Sequence, residues 1–524
     1  MNEMRPMQQR WKWYGLALQL LALSLTRPVW AETVNLTLLH LNDVYEITPV
    51  EGGKRGGLAR VAALRQQLLR QNRNTYTVLA GDFFSPSALG TAKVNGQRLA
   101  GQQMVAVLNV MGLDYATFGN HEFDLSEELF RQRLRESKFR WFSGNVTDAS
   151  GKAFPGVAQS QILTAKGKQG EVVQVGLIGV TLDSNQKNYV RYRDAIASAQ
   201  EQVKAMQGKT DVMVALTHLS LEQDQQLAAT IPEIDLILGG HEHENMQQWR
   251  VVGETNKARK CNAGLTPIFK ADANARTVYI HDLQYDTQTR CLRINSRLQP
   301  ITDAMPEDAR TAKVVQQWVD RAFAGFRADG FNPEQAIATT RETLDGLESS
   351  VRNSPTNLTK LVAQAMLREV EGAELAIFNG GSIRIDDRIP AGPITQYDVI
   401  RILPFGGKVL SIEMKGEVLQ RALTQGRDNR GAGGYLQTAN VDWNANTNRW
   451  LIQGQPLQPN RMYRVAINDF LMTGQESNLG FLTFQSPDIK LVEEKQDIRF
   501  AVINQLQAQQ GAATKPQFPV ARPQ

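Results

Sequence analysis

Four of the six histidines stand in three short segments that follow apolar runs: Gly119-Asn120-His121-Glu122, Thr217-His218 and His241-Glu242-His243. Two aspartates end similar runs, Asp43 in Leu38-Leu39-His40-Leu41-Asn42-Asp43 and Asp82 in Val78-Leu79-Ala80-Gly81-Asp82. Carboxylates, imidazoles and one amide oxygen placed where parallel strands stop form the ligand set of a divalent-metal site at the carboxyl edge of a sheet. Asp82 follows a glycine that lets the chain turn sharply at the strand end, which suits a carboxylate bridging two metals. Asp43, Asn120, His218, His241 and His243 then fill the remaining positions. Two divalent ions, zinc, manganese or similar, would lower the pKa of a shared water and screen a phosphoryl group, so the reaction class implied is hydrolysis of a phosphate ester. His121 differs in kind. Asp124 lies three residues later on a helical turn, able to keep the imidazole charged for stabilising the transition state and helping the leaving alkoxide depart. Each segment alone is weak evidence; their order and spacing within one α/β stretch carry the reading. His40 and His281 lie outside the pattern and read as structural.

The elements that must hold these residues follow from periodicity. Strand-like runs occur at 37–42, 77–80, 116–118, 172–180, 212–216 and 235–238, with a helical pattern over 99–111. Strand, helix and strand in alternation predict an α/β domain with a largely parallel sheet. Composition shifts near Ile301, where Asp303 to Asp308 resembles a helix start, and Val314, Val315, Trp318, Val319 and Phe323 follow at helical spacing. A second domain begins near Gln335, with a helix capped by Thr356 or Asn357 and strands at 375–378 and 408–414.

At 524 residues and 42% hydrophobic, the chain can bury two sizeable cores. A net charge of +5 does not argue for nucleic acid as a partner. Residues 1–31 combine a basic start (Arg5, Arg10, Lys12), an apolar run from Tyr14 to Leu25 and a Val29-Trp30-Ala31 ending. That pattern predicts a secretory signal peptide cut after Ala31, an exported protein, and no membrane contact once the leader is gone. Cys261 and Cys291, the only cysteines, are expected to pair in an oxidising compartment.

With these motifs in this order, the chain resembles the calcineurin-like metallophosphoesterases, and its leader, connecting helix and second domain make it similar to the secreted bacterial 5'-nucleotidases. The resemblance implies a four-layer α/β/β/α metallophosphoesterase domain (32–302), joined by a linker helix (303–334) to a smaller α/β nucleotide-binding domain (335–508). A disordered tail (509–524) would follow, in a periplasmic or secreted monomer whose domains rotate to bring substrate to the metals. Asn379-Gly380-Gly381-Ser382-Ile383-Arg384 is similar to the family's Asn-Gly-Gly-Gly-Ile-Arg loop, which implies that Arg384 meets phosphate and Asn379 the nucleoside. Arg352 matches a second phosphate-binding arginine. Phe405 and Phe470 match two aromatics that sandwich the base, although local pattern alone would read both as core.

Four departures stand against the family pattern. Tyr45 replaces a histidine ligand of the first metal. Glu348 replaces an arginine of the phosphate cluster. Gly474-Gln475-Glu476-Ser477-Asn478 leaves Glu476 as the acid able to meet the ribose or base, and Gly407 stands where an asparagine is common. Tyr45 also raises the prospect of trivalent iron at the first position, because phenolate favours it. The expected activity is release of phosphate from nucleoside monophosphates. The alternatives are a 2',3'-cyclic nucleotide phosphodiesterase, a nucleotide-sugar hydrolase and, from another class, a non-catalytic nucleotide-binding protein.

Overall fold

The computed structural model describes residues 33–246, 250–252 and 266–513, with side chains outside 247–265 and 511–513. The expected leader, Cys261 and the chain after Ala513 lie outside the described residues. Cys291 is disulfide-bonded.

Two sheets build the first domain. In one, the strands run in the order Val157–Ala158, Arg140–Phe142, Tyr115–Thr117, Thr75–Ala80, Thr33–Leu41, Thr277–Asp286 and Cys291–Pro300. Its first five strands are parallel and its last two antiparallel. In the other, Val172–Thr181, Val212–His218, Leu236–Gly239 and Thr266–Lys270 run parallel, with antiparallel Ser160–Lys166 and Arg250–Val252 at the edges. The sheets pack face to face through residues such as Leu38, Val78, Tyr115, Val214, Leu216, Leu238 and Phe269. Helices Leu58–Gln71 and Gln102–Met111 cover the first sheet, and Ala195–Met206 and Leu221–Thr230 the second. Helix, sheet, sheet and helix make the four layers expected. Strands buried on both faces read as unbroken apolar runs because neither face meets water.

The helix expected from Leu99 starts at Gln102, because Ala100 and Gly101 adopt left-handed backbone (φ 43° and 82°) that a helix cannot continue. The connecting helix spans Ala309–Ala328 rather than starting near Asp303, and Asp308 caps it by accepting from the Thr311 N–H at 2.8 Å. One apolar cluster runs from Val107 and Leu108 through Ala322 and Phe326 to Val399 and Val502, so the two domains share a continuous core along this helix.

The second domain carries a five-stranded mixed sheet in the order Leu436–Ala439, Leu375–Asn379, Met462–Asn468, Lys408–Lys415 and Ile489–Asp497. Helices Asn357–Glu369 and Ile498–Ala513 cover one face and Gly416–Asp428 the other. Thr356 caps the first of these in a reciprocal capping box with Thr359. The last helix runs through Ala513, into the stretch expected to be tail from Gln509. Buried Val502 and Leu506 anchor it, and glutamine and alanine are good helix formers that extend it. No helix among the described residues is long and apolar enough to cross a membrane.

Candidate active site

All the strands that precede candidate ligands are parallel, so their carboxyl ends open on one edge of the two-sheet sandwich. Asp43 follows Thr33–Leu41, Asp82 follows Thr75–Ala80 and Asn120 follows Tyr115–Thr117 in the first sheet. His218 ends Val212–His218, and His241 and His243 follow Leu236–Gly239 in the second. Asp43, Asp82 and His241 all take left-handed backbone, with φ of 51°, 57° and 83°. Such conformations are unfavourable for non-glycine residues and persist where surrounding contacts over-determine them, as at functional sites. The turns are tight enough to need glycine: a Cβ on Gly119 would run into the Asp82 carboxylate, and one on Gly240 into the Ala80 carbonyl.

Asp43, Asp82 and His218 each offer an atom able to ligate a metal; these atoms lie within 4.8 Å of one another, and all three residues are buried. His218 Nε2 stands 3.2 Å from Asp82 Oδ2 and 4.0 Å from Asp43 Oδ1, while its Nδ1 is held by the Ala80 carbonyl at 2.8 Å. His243 Nε2 lies 3.5 Å from Asp43 Oδ1. The backbone N–H of His241 donates to Asp43 Oδ2 at 2.9 Å, and its ring centroid is 5.4 Å from that of His218. The Tyr45 hydroxyl sits 3.0 Å from His243 Nε2, 3.3 Å from Asp82 Oδ2 and 3.4 Å from Asp43 Oδ1. Tyr45 thus sits against Asp43, Asp82 and His243. One observation fits this set to a cation: Asn120 Oδ1 is buried with no hydrogen-bond partner. A buried polar atom left unsatisfied costs about 1–3 kcal/mol, a cost that coordination removes.

Charge balance points the same way. Burial would raise Asp43 and Asp82, yet the imidazoles of His218 and its neighbours hold both below the usual carboxylate range. Burial opposes a charge on His218, but Asp82 and Asp43 outweigh it and push His218 up to about 9. His241 is driven down to about 4 by burial and by the charge of His218. Without metal, the cluster therefore keeps a positive charge between its two carboxylates.

Behind the ligands lies a layer that sequence reading missed. Glu122 is fully buried and accepts the backbone N–H groups of Gly119 (2.6 Å), Phe83 (2.7 Å) and Asp82 (2.9 Å), clamping two ligand turns together. Burial and the nearby Asp82 push its carboxyl up to about 7. Lys270, also fully buried, donates to the Leu219 carbonyl at 2.6 Å and the Gly240 carbonyl at 2.8 Å and pairs with Asp224 (2.9 Å) and Glu242, bracing the His218 and His241 turns. Glu122 lies in the segment Gly119-Asn120-His121-Glu122 but its spacing assigns it no role, and Lys270 ends a strand that precedes no candidate ligand.

His121 and Asp124 meet as expected, Nδ1 to Oδ2 at 2.8 Å within the short turn His121–Asp124. Asn185 donates to Asp124 Oδ1 at 2.7 Å and to the Asn120 carbonyl at 2.8 Å, fixing the pair to the ligand turn. Burial works against a charged His121, but Asp124 and Asp82 raise it above the ordinary imidazole value, and His121 in turn helps pull Asp124 down to about 2 against its own burial. His40 and His281 are buried and bonded to the Gly239 carbonyl (3.1 Å) and to Ser296 Oγ (2.7 Å), respectively.

The second domain closes over this edge. A cleft of about 740 Å³ is lined by His241, His243, Glu348, Arg352 and Asp386. Arg352 pairs with Glu348 at 2.7 Å. The charge of Arg384 acts on both His121 and Asp124, and its guanidinium carbon lies 5.8 Å from the Phe405 ring centroid. Phe405 and Phe470 are 44% and 40% exposed, which removes the core-packing reading that local pattern favours. Asp469 accepts the Lys408 N–H at 2.8 Å, tying the turn that bears Phe470 to the segment after Phe405. Asn379 donates to Glu476 at 2.7 Å and accepts from Ser382 (2.5 Å) and Asn468 (3.1 Å). Of the expected substrate residues, Arg352 lines the cleft beside His241 and His243, and Asn379 and Glu476 pair with each other in the second domain.

Comparison with known proteins accords with this geometry. Residues 36–245 match the family described as calcineurin-like phosphoesterase, and residues 336–484 the 5'-nucleotidase, C-terminal domain. The 5'-nucleotidase of Mus musculus is 25% identical, over 91% of this chain and 89% of the mouse protein. The trifunctional nucleotide phosphoesterase protein YfkN of Bacillus subtilis is 28% identical over 84% of this chain, which spans only 32% of that longer relative. The crystal structure of the 5'-nucleotidase precursor from Thermus thermophilus shares the fold with a TM-score of 0.73 at 24% identity, covering 91% of this chain and 97% of that one. The chain belongs to the family that joins a calcineurin-like metallophosphoesterase domain to a 5'-nucleotidase C-terminal domain.

Proposed function

We propose that this protein is an exported, metal-dependent 5'-nucleotidase that releases phosphate from nucleoside monophosphates, in the periplasm or outside the cell. The carrying observation is convergence: Arg352 and Arg384 of the second domain approach the edge of the first domain where His121, His243 and the buried carboxylates meet.

Two divalent cations held by Asp43, Asp82, Asn120, His218, His241 and His243 would supply an acidified water and neutralise phosphoryl charge. The chain's own groups do the rest. Arg352 and Arg384 offer forked N–H donors that pair phosphate oxygens two at a time and turn phosphorus toward the cluster. His121 keeps its Nδ1 proton on Asp124, which leaves Nε2–H to stabilise charge on the leaving oxygen and to protonate it. Phe405 and Phe470 present exposed faces on which a base stacks, at about 1–3 kcal/mol per base with little base choice. Glu476 and Asn379 are placed for the ribose or base edge. Tyr45 takes the place of the absent histidine at the first position, where Asp43, Asp82 and His243 would hold a divalent metal or trivalent iron.

A second reading has one observation in its favour. Glu348 cancels the charge of Arg352 at 2.7 Å, which favours a phosphodiester, with one negative charge, over a doubly charged monoester. A 2',3'-cyclic nucleotide fits that balance, and so does each singly charged phosphoryl group of a nucleotide sugar. Phosphate or nucleotide release from AMP, cyclic nucleotides and nucleotide sugars, with manganese or zinc added, separates the readings. AMP is expected to turn over fastest, and His121→Ala should abolish turnover while metal content stays. Zero turnover of every substrate with every metal would sink the enzymatic reading and leave a nucleotide-binding protein.

A further inference from the structure

Among the described residues, His243 is the candidate ligand whose ring is bonded from the other domain. Its Nε2 faces the cluster, 3.0 Å from the Tyr45 hydroxyl and 3.5 Å from Asp43 Oδ1, and its Nδ1 lies 3.0 Å from Asp386 Oδ2. Asp386 belongs to the second domain, in the segment between Gly380–Ser382 and Arg388–Ile389. Its side chain is only 7% exposed, and its other oxygen, Oδ1, accepts the Glu348 N–H at 2.9 Å. A histidine that presents Nε2 to a metal must carry its proton on Nδ1, and a carboxylate acceptor there fixes both tautomer and ring direction. The corresponding partner of His218 is the Ala80 carbonyl, from its own domain.

The segment is also pinned across the boundary. Arg276 of the first domain donates to the Asp386 carbonyl and pairs with Glu51 at 3.1 Å, and the Glu51 N–H donates to Asp387 at 3.1 Å. Asp387 in turn pairs with Arg401 of its own domain at 2.6 Å.

We propose that Asp386 is a positioning residue for the first metal, so that occupancy of that position is coupled to the seating of the second domain, while the second metal is held by the first domain alone. The inference rests on reading the cluster as a two-metal centre. Coupling of this kind is reciprocal: if the seated domain tightens metal, metal tightens the seat.

Asp386→Asn tests it with little disturbance of the backbone, because asparagine tolerates the left-handed conformation at this position (φ 38°). The amide has one oxygen where the carboxylate has two acceptors, so it cannot satisfy both His243 Nδ1–H and the Glu348 N–H. Metal-free full-length protein is titrated with Mn²⁺ by calorimetry. The wild type should show two binding steps; in the variant one should keep its affinity and the other should weaken by about 10–100-fold, the usual cost of losing a carboxylate partner of a ligating histidine. Equal affinities in variant and wild type, or equal weakening of both steps, would overturn the proposal. A second measurement uses the wild type alone: hydrogen exchange in residues 383–388 and at the Glu348 N–H should slow when Mn²⁺ is added, and unchanged exchange would also overturn it. Neither readout involves turnover. A split titration in a protein that hydrolyses no nucleotide would refute the proposed function and leave this coupling standing.

Discussion

Replacing Asp124 by asparagine should move the pH dependence of the reaction in a calculable direction. Asp124 Oδ1 is committed to Asn185, which donates to it at 2.7 Å, so the asparagine oxygen is expected to take that side and turn its NH₂ group toward His121. His121 Nδ1, 2.8 Å away, must then accept rather than donate, which favours a neutral ring with its proton on Nε2. A hydrogen bond to a charged group contributes about 1.5–3 kcal/mol. At about 1.4 kcal/mol per pKa unit, losing it lowers the His121 pKa by roughly one to two units. The sign follows from the direction of the native shift. Burial disfavours the imidazolium but Asp124 and Asp82 raise it above the ordinary value, so the charged form survives to higher pH in the wild type. A step that needs protonated His121 loses rate as pH rises through that raised value, and the variant should lose it about one to two pH units earlier. The assay is kcat/KM for AMP across pH at saturating Mn²⁺, with metal content measured alongside. An alkaline limb at the same pH in both proteins, or an equal fractional loss at every pH, would refute the charged-imidazole argument.

Three other outcomes follow from the geometry. Lys270→Met leaves buried Asp224 and the Glu242 carboxylate without their cation; a loss of about 3–5 kcal/mol is expected from breaking a buried pair, read as a fall in the melting temperature of the metal-free protein. Tyr45→Phe removes the hydroxyl 3.0 Å from His243 Nε2; it should weaken one metal step only, and if iron loads the first position, the visible band of the iron-loaded wild type should vanish. Absence of that band in the wild type would rule out phenolate coordination. Phe405→Ala should raise KM for AMP with kcat nearly unchanged, by an amount equivalent to about 1–3 kcal/mol of lost stacking, whereas a matching fall in kcat would place the ring in the chemistry rather than in base binding.

Periodicity and strand ends make much of this protein legible in its sequence. The strands over 172–181 and 212–218 are mostly apolar because nearly all their residues are buried, and a polar residue at the carboxyl end of such a run lies at the sheet's edge. Asp43, Asp82, Asn120, His218, His241 and His243 are readable for that reason, and His121 with Asp124 because one helical turn sets their separation. Composition marks a tail from Gln509 but does not reveal that Val502 and Leu506 carry a helix on to Ala513. Local pattern misreads Phe405 and Phe470, since an aromatic held in the open by the loops around it has no periodic mark.

Ligand types and their placement at strand ends are written locally in the chain, because backbone alternation and turn chemistry act over a few residues. Which distant groups complete the site depends on packing alone. Asp386 meets His243 across 143 residues, and Lys270 reaches under the His241 turn from a neighbouring strand. The stacking of two sheets and the seating of a second domain on them bring these side chains together, and nothing in the local spacing of the chain encodes those contacts.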